Sequence, residues 1–246
     1  MRRIKLTIEY DGTGLVGWQR QNNGHSVQSR LEEAIEKYCT VFCPVFASGR
    51  TDAGVHALGQ VAHFDLPRDH EPDQIRAAIN FHLKDHAISV LSAEIVDDDF
   101  HARFSCKGRS YLFRIINRPA PLALELKRAW WVPRPLDAEA MHDAAQVLVG
   151  LHDFTSFRAT ACQALSPIKT LDRLDVTRQG EVIEIRTSAK SFLHHQVRNM
   201  VGTLHKVGLG HWTRQDVQNA LDARKRAAAG ATAPSTGLYF LSAHYD

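Results

Sequence analysis

The stretch Gly49-Arg50-Thr51-Asp52-Ala53-Gly54-Val55-His56-Ala57 sets one aspartate near an arginine, with a glycine on either side. Glycine adopts backbone conformations that other residues avoid and leaves room for another molecule to approach. A nearby guanidinium favours the ionised form of a carboxylate. A nucleophilic aspartate needs these two conditions, a shaped turn and a fixed positive charge. No other acid lies between Gly49 and Gly54. The segment falls between two strand patterns, on the kind of loop where functional side chains collect. The same residues also describe an Asx-type turn whose carboxylate caps its own backbone, which is the commoner use of aspartate in a turn.

Two further positions have types and spacing suited to chemistry or binding. Arg198 sits in Phe192-Leu193-His194-His195-Gln196-Val197-Arg198-Asn199-Met200-Val201-Gly202. A charge embedded in so apolar a helical pattern needs a partner or an outward path. Arg109, Tyr111, Phe113 and Ile115 fall on one face of a strand, because strand side chains alternate. Phe113 reads as core, whereas Tyr111 beside Arg109 suits either the core or a stacking surface. Fourteen histidines are scattered, and His194-His195 with His205 on an expected helix come nearest to a ligand set. Cys39 and Cys43 are spaced C-x3-C, without a second pair to complete a zinc site, so the four cysteines read as reduced thiols. There is no Walker-type loop, dinucleotide fingerprint or nucleophile elbow. Any chemistry is therefore expected to use side chains alone.

The 246 residues suffice for one large domain or two ordinary ones. The longest apolar runs fall short of a membrane span, and no signal-peptide core is evident, so a cytoplasmic protein is expected. Net charge is only +3, but it is unevenly spread. Residues 1–99 carry 10 basic and 15 acidic side chains, and residues 100–246 carry 20 and 12. Within 100–134 there are eight basic residues and one acid, Glu125, as a phosphate-binding face or a solvated strand would have.

The elements that must position these residues are legible as patterns. Ile4, Leu6, Ile8 and Tyr10 alternate as in a half-buried strand. Ser26 can cap a helix with Val27, Leu31, Ala34, Ile35 and Tyr38 on its apolar face. Strands are expected near 41–48 and 60–65, a helix opening at Pro72, and a strand near 88–95. This is the β-α-β-β-α-β order of ferredoxin-like domains. The later sequence repeats it with one extra helix: a strand at 109–117, a helix at 137–149, strands at 170–179 and 181–188, helices at 193–207 and 214–226, and a strand at 238–245. The segments 66–72, 118–136, 150–169 and 227–237 read as irregular. The expected fold is α+β with two halves, 1–105 and 106–246, the first carrying Asp52 and the second Tyr111 and Arg198.

The segment 49–57 followed by Gln60-Val61 resembles the signature of the tRNA pseudouridine synthase A family. Other blocks agree in order: Tyr10-Asp11-Gly12-Thr13-Gly14 with Gly17-Trp18-Gln19-Arg20-Gln21, Phe100-His101-Ala102-Arg103-Phe104 with Arg109-Ser110-Tyr111, and His152-Asp153-Phe154. The series closes with Gln196 to Gly202 and with Thr232-Ala233-Pro234 before Gly237-Leu238. Residues 118–149 carry little of it.

The resemblance implies conversion of uridine to pseudouridine at positions 38 to 40 of the tRNA anticodon stem-loop, by a homodimer without metal or cofactor. It implies two ferredoxin-like halves joined through a central antiparallel sheet, helices outside and a central RNA-binding cleft. By the same resemblance Asp52 is the nucleophile and Arg198 its partner. Arg50 guides base flipping, Tyr111 stacks on the target base and Leu238 lines its other side. Arg103, Lys107, Arg109, Arg114 and Arg118 are expected to contact phosphates. The alternatives are a non-catalytic RNA-binding protein of the same fold and a metal-dependent hydrolase.

Overall fold

The computed structural model describes residues 1–67 and 69–246. The chain forms two compact units: Met1–Lys107 together with Tyr239–Asp246, and Gly108–Leu238. Each combines a sheet with packed helices, an α+β arrangement.

In the first unit the strands are β1 (Arg2–Tyr10), β2 (Phe46–Ala47), β3 (His56–Leu66) and β4 (Ile88–Val96). They lie antiparallel in the order β4-β1-β3-β2. The last strand, β10 (Leu238–His244), adds Tyr239 and Phe240 in parallel beside His56 and Ala57 of β3. A division of the sequence at 105 assigns that strand to the other half, because nothing local to 238–244 reveals its partner. The strand expected at 41–48 is confined to two residues, and β3 begins four residues earlier than its pattern.

The alternation of β1 is realised, with Ile4, Leu6 and Ile8 fully buried and Tyr10 nearly so. Helix α1 (Val27–Cys39) starts at Ser26, whose hydroxyl and that of Ser29 each accept the other residue's backbone N–H at 3.1 Å. Helix α2 (Pro72–Leu83) has proline in its first turn, where a missing N–H costs nothing, and buries Ile75, Ile79 and Leu83. Buried Glu32 of α1 accepts from Arg20 Nη2 at 2.7 Å, from Gln28 Nε2 at 2.9 Å and from the Val45 N–H at 3.2 Å. It thereby ties the 17–21 loop, α1 and the approach to β2 together.

In the second unit β5 (Gly108–Asn117), β7 (Gly150–Asp153), β8 (Ile168–Gln179) and β9 (Val182–Ala189) lie antiparallel in the order β5-β9-β8-β7. A short β6 (Trp130–Val132) lies parallel to β5. Helix α3 (Ala138–Ala145) passes into a 3₁₀ turn, and α4 (Gln196–Gly208) and α5 (Arg214–Asp222) follow. Phe113, Ile115, Leu171, Ile183, Ile185, Met141, Met200, Val201 and Leu204 are fully buried. The stretches 118–136 and 150–169 are less irregular than their composition suggests, since they hold β6 and β7.

The helix expected from 193 begins at Gln196. His195 adopts φ 62°, and the Gln196 side chain accepts the Leu193 N–H at 2.8 Å, so 193–195 form a turn. His194 and His195 thus precede α4, whereas His205 lies within it, its ring tilted against that of Trp130 with centroids 4.5 Å apart. The three do not share a helical face. Among the described residues no helix is long and apolar enough to cross a membrane.

His63 on β3 is the buried titratable group with the clearest consequence. Its Nδ1 accepts the Ala102 N–H at 3.1 Å, and its ring lies 4.6 Å from that of His101. Burial, reinforced by the charges of His101 and Arg3, pushes its pKa from 6.5 down to about 4. Between those values the unfolded chain takes up a proton that the folded chain refuses, so stability falls as pH falls. Denaturant titrations should show a loss of roughly 3 kcal/mol across that window from this residue. His63→Asn, which keeps an acceptor for Ala102 but cannot titrate, should flatten the slope.

Candidate active site

The turn that carries Asp52 is held from three directions. Its backbone closes from the Val55 N–H to the Asp52 carbonyl at 3.2 Å, with Gly54 at φ 76°. That left-handed value is what glycine supplies at this place in a turn. From one side, Tyr10 at the end of β1 meets Thr51, their hydroxyl oxygens 2.8 Å apart. Burial pushes the Tyr10 phenol up to about 12, the hydrogen bonds of Thr51 and Gln60 opposing the rise, so the hydroxyl stays neutral at physiological pH.

From β3, fully buried Gln60 donates to the Gly49 carbonyl at 2.9 Å and accepts from Ser48 Oγ at 2.6 Å. From the 11–18 loop, the Trp18 N–H donates to the Thr51 carbonyl at 3.0 Å. The Gly12 N–H donates to His56 Nδ1 at 3.0 Å. His56 Nδ1 also lies 3.1 Å from Asp11 Oδ1. Its ring stacks on Tyr239 at 4.7 Å.

The consequence is an alternation along the turn. Arg50 is exposed, Thr51 is buried and Asp52 is half-buried. The carboxylate is thus presented from a backbone that is bonded on both sides of it. Tyr10, Gly12, Thr51 and Gln60 were not singled out individually as functional from the sequence. Their signal lies in the Tyr10-Asp11-Gly12, Gly49–Ala57 and Gln60-Val61 blocks, and all four serve to hold the turn.

The other candidates belong mostly to the second unit. Tyr111 on β5 is half-buried, pairs with Thr187 of β9, and meets Phe192 edge-on with ring centroids 5.1 Å apart. Phe113, two residues along, is fully buried, as its core reading requires. Arg198 in the second residue pair of α4 is half-buried, and its Nε donates to the Ala233 carbonyl at 2.8 Å. Leu238 is buried, directly after Gly237, where an added Cβ would lie 2.7 Å from the Phe113 ring.

The basic segment is only partly available. Lys107 pairs with Asp246 at 2.9 Å, Arg114 with Glu125 at 3.3 Å and Arg118 with Glu181 at 3.0 Å. Arg109 donates to the Lys190 carbonyl at 2.6 Å, and the Arg103 guanidinium lies over the ring of Phe104, 5.8 Å from its centre. Arg103 and Lys107 belong to the first unit, and Arg109, Arg114 and Arg118 to the second.

Gly12 is the sharpest steric constraint on the Asp52 turn, since an added Cβ would lie 2.1 Å from the Val55 carbonyl oxygen. Gly12→Ala should displace the turn and cost about 1–3 kcal/mol in denaturant unfolding. Its catalytic loss should exceed what the stability change accounts for at a temperature where the variant is fully folded.

The family model described as tRNA pseudouridine synthase matches residues 6–105 and 144–246. A tRNA pseudouridine synthase A from Rhodospirillum centenum is 62% identical over 245 residues, covering 100% of both chains. Its counterpart from Paramagnetospirillum magneticum is 60% identical over 246 residues, covering 100% of this chain and 96% of its own. The Brucella ovis protein of the same name is 58% identical over 247 residues, covering 100% of this chain and 98% of its own. An aspartate turn of this construction and a match running through both units lead to one conclusion: the chain belongs to the tRNA pseudouridine synthase family.

Proposed function

We propose that this protein converts uridine to pseudouridine in the anticodon stem-loop of tRNA, at positions 38 to 40. The observation that carries the reading is the Asp52 turn, a half-buried carboxylate on a backbone fixed by Tyr10, Gln60 and the 11–18 loop. The shared name of the full-length relatives favours catalysis over a non-catalytic RNA-binding role. The names of its full-length relatives supply the substrate class.

In this reading the target uridine is flipped from the stacked stem-loop, and exposed Arg50 guides the exchange. Tyr111 stacks on the extruded base, and Leu238 lines its opposite side. Asp52 attacks ribose carbon 1′ or uracil carbon 6, with Arg198 as the positive partner. The bond from carbon 1′ to nitrogen 1 breaks and the base turns. Carbon 5 then bonds to carbon 1′, the bond to Asp52 breaks and returns the free carboxylate, and the carbon 5 proton leaves while nitrogen 1 takes up a proton. The product is an isomer of the substrate, so the balance requires no oxidant, metal or organic cofactor. We further propose a homodimer that works in the cytoplasm, where its tRNA substrate is found.

Incubation with unmodified tRNA carrying tritium at uridine carbon 5 tests the reaction. The wild-type protein should release tritium in step with pseudouridine formation, and Asp52→Asn should release none. Binding of tRNA without release by the wild type would favour the non-catalytic alternative.

Phosphate contacts by Arg103, Lys107, Arg109 and Arg114 are also proposed, and Lys107 and Arg114 each hold a carboxylate as well. Replacing Arg109 by Ala should lower the slope of log affinity against log salt by about one, and a wild-type affinity indifferent to salt would remove this role.

A further inference from the structure

The segment 226–233 lies against α4 too closely for ordinary side chains. A Cβ on Gly202 would stand 1.7 Å from the Ala231 carbonyl oxygen, and one on Gly230 would stand 2.5 Å from the Gly202 carbonyl oxygen. Such contact needs polar groups that are all matched, because buried donors and acceptors left unpaired are costly.

Asn199, fully buried on α4, organises them. Its Nδ2 donates to the Phe157 carbonyl at 2.8 Å, which orients the amide. Its Oδ1 then accepts from Thr232 Oγ at 2.7 Å and from Arg226 Nη2 at 3.1 Å. Arg226 also donates to the Gly230 carbonyl at 2.9 Å and to Thr232 Oγ at 3.1 Å. Thr203 Oγ donates to the Asn199 carbonyl at 2.8 Å and accepts the Gly230 N–H at 2.9 Å.

The next residue along the chain is Ala233, which bonds to Arg198 twice. The Ala233 N–H donates to the Arg198 carbonyl at 3.1 Å, and the Ala233 carbonyl accepts from Arg198 Nε at 2.8 Å. A guanidinium is a rigid planar fork, so holding Nε sets the plane and direction of its two terminal nitrogens.

We propose that Thr232 and Arg226 are positioning residues for Arg198: they fix the Ala233 carbonyl, which aims the guanidinium. The inference rests on the reading that Arg198 serves the reaction. Neither positioning residue touches the substrate. Thr232 is the shorter path, since its hydroxyl is anchored to α4 one residue before the aiming carbonyl. Misplacing a catalytic group by a fraction of an ångström lowers the rate without weakening the remote contacts that hold a large substrate.

The test is a double-mutant cycle on the full chain, reading kcat and KM for unmodified tRNA together with the melting temperature. Thr232→Val keeps the shape and removes the hydroxyl. It should lower kcat about tenfold with KM within about twofold. Thr232→Ser should restore the wild-type rate. Arg226→Lys, which loses the fork, should show the same division between kcat and KM. In an Arg198→Lys background, which has no Nε to hold, Thr232→Val should cost nothing further.

Wild-type kcat in Arg198→Lys alone would overturn the reading of Arg198 itself. If Arg198→Lys is impaired, the positioning role is overturned by wild-type kcat in both Thr232→Val and Arg226→Lys. It is equally overturned by an equal loss from Thr232→Val in both backgrounds.

Discussion

The close approach of the 11–18 loop to the Asp52 turn is the constraint on which the first unit depends. Gly12 leaves no room for a Cβ against the Val55 carbonyl, and Gly17 leaves none against that of Thr51. The same loop feeds α1, because the Val27 and Gln28 N–H groups donate to the Gly17 and Trp18 carbonyls at 3.2 and 3.0 Å. One zone of backbone-to-backbone contact therefore links β1, the start of α1 and the turn. Displacing any of them disturbs the others. A loop with this many fixed points behaves as part of the scaffold, and scaffold precision is what a nucleophile requires.

The second unit reaches the same end by similar means. Gly202 and Gly230 allow a loop to lie on α4, and Asn199, Thr203, Thr232 and Arg226 satisfy the polar groups that the contact buries. In both units the reactive or charged side chain sits beside a stretch of backbone held through glycine contacts. The elements that do the holding are ordinary: a capped helix, an alternating strand and a buried amide. The distribution of charge follows the same logic. Three of the cations in the basic 100–134 segment have carboxylate partners, so a count of charges overstates the free positive surface there.

Much of the architecture was legible because local physics dictates it. The alternation at Ile4 to Tyr10, the Ser26 cap and the Pro72 start each became the element they imply. Local pattern falls short where tertiary partners decide. Phe46 and Ala47 form a strand only because His63 and Ala62 are there to pair with, and β6 forms only beside β5. The onset of α4 moved because a left-handed His195 and a bond from the Leu193 N–H to the Gln196 side chain close a turn that periodicity cannot reveal.

Residue type and spacing alone pick out the candidates: an aspartate between glycines, an arginine in an apolar helix, and a tyrosine beside an arginine on a strand. These are properties of residue type and spacing over a few positions, which composition and periodicity can read. What holds them emerges in three dimensions. Tyr10 reaches Thr51 across 41 residues, Gln60 reaches Gly49 across 11, and Arg198 reaches Ala233 across 35. Such bonds depend on distance in space, and their donors and acceptors include backbone groups that every residue carries, so no residue type announces them.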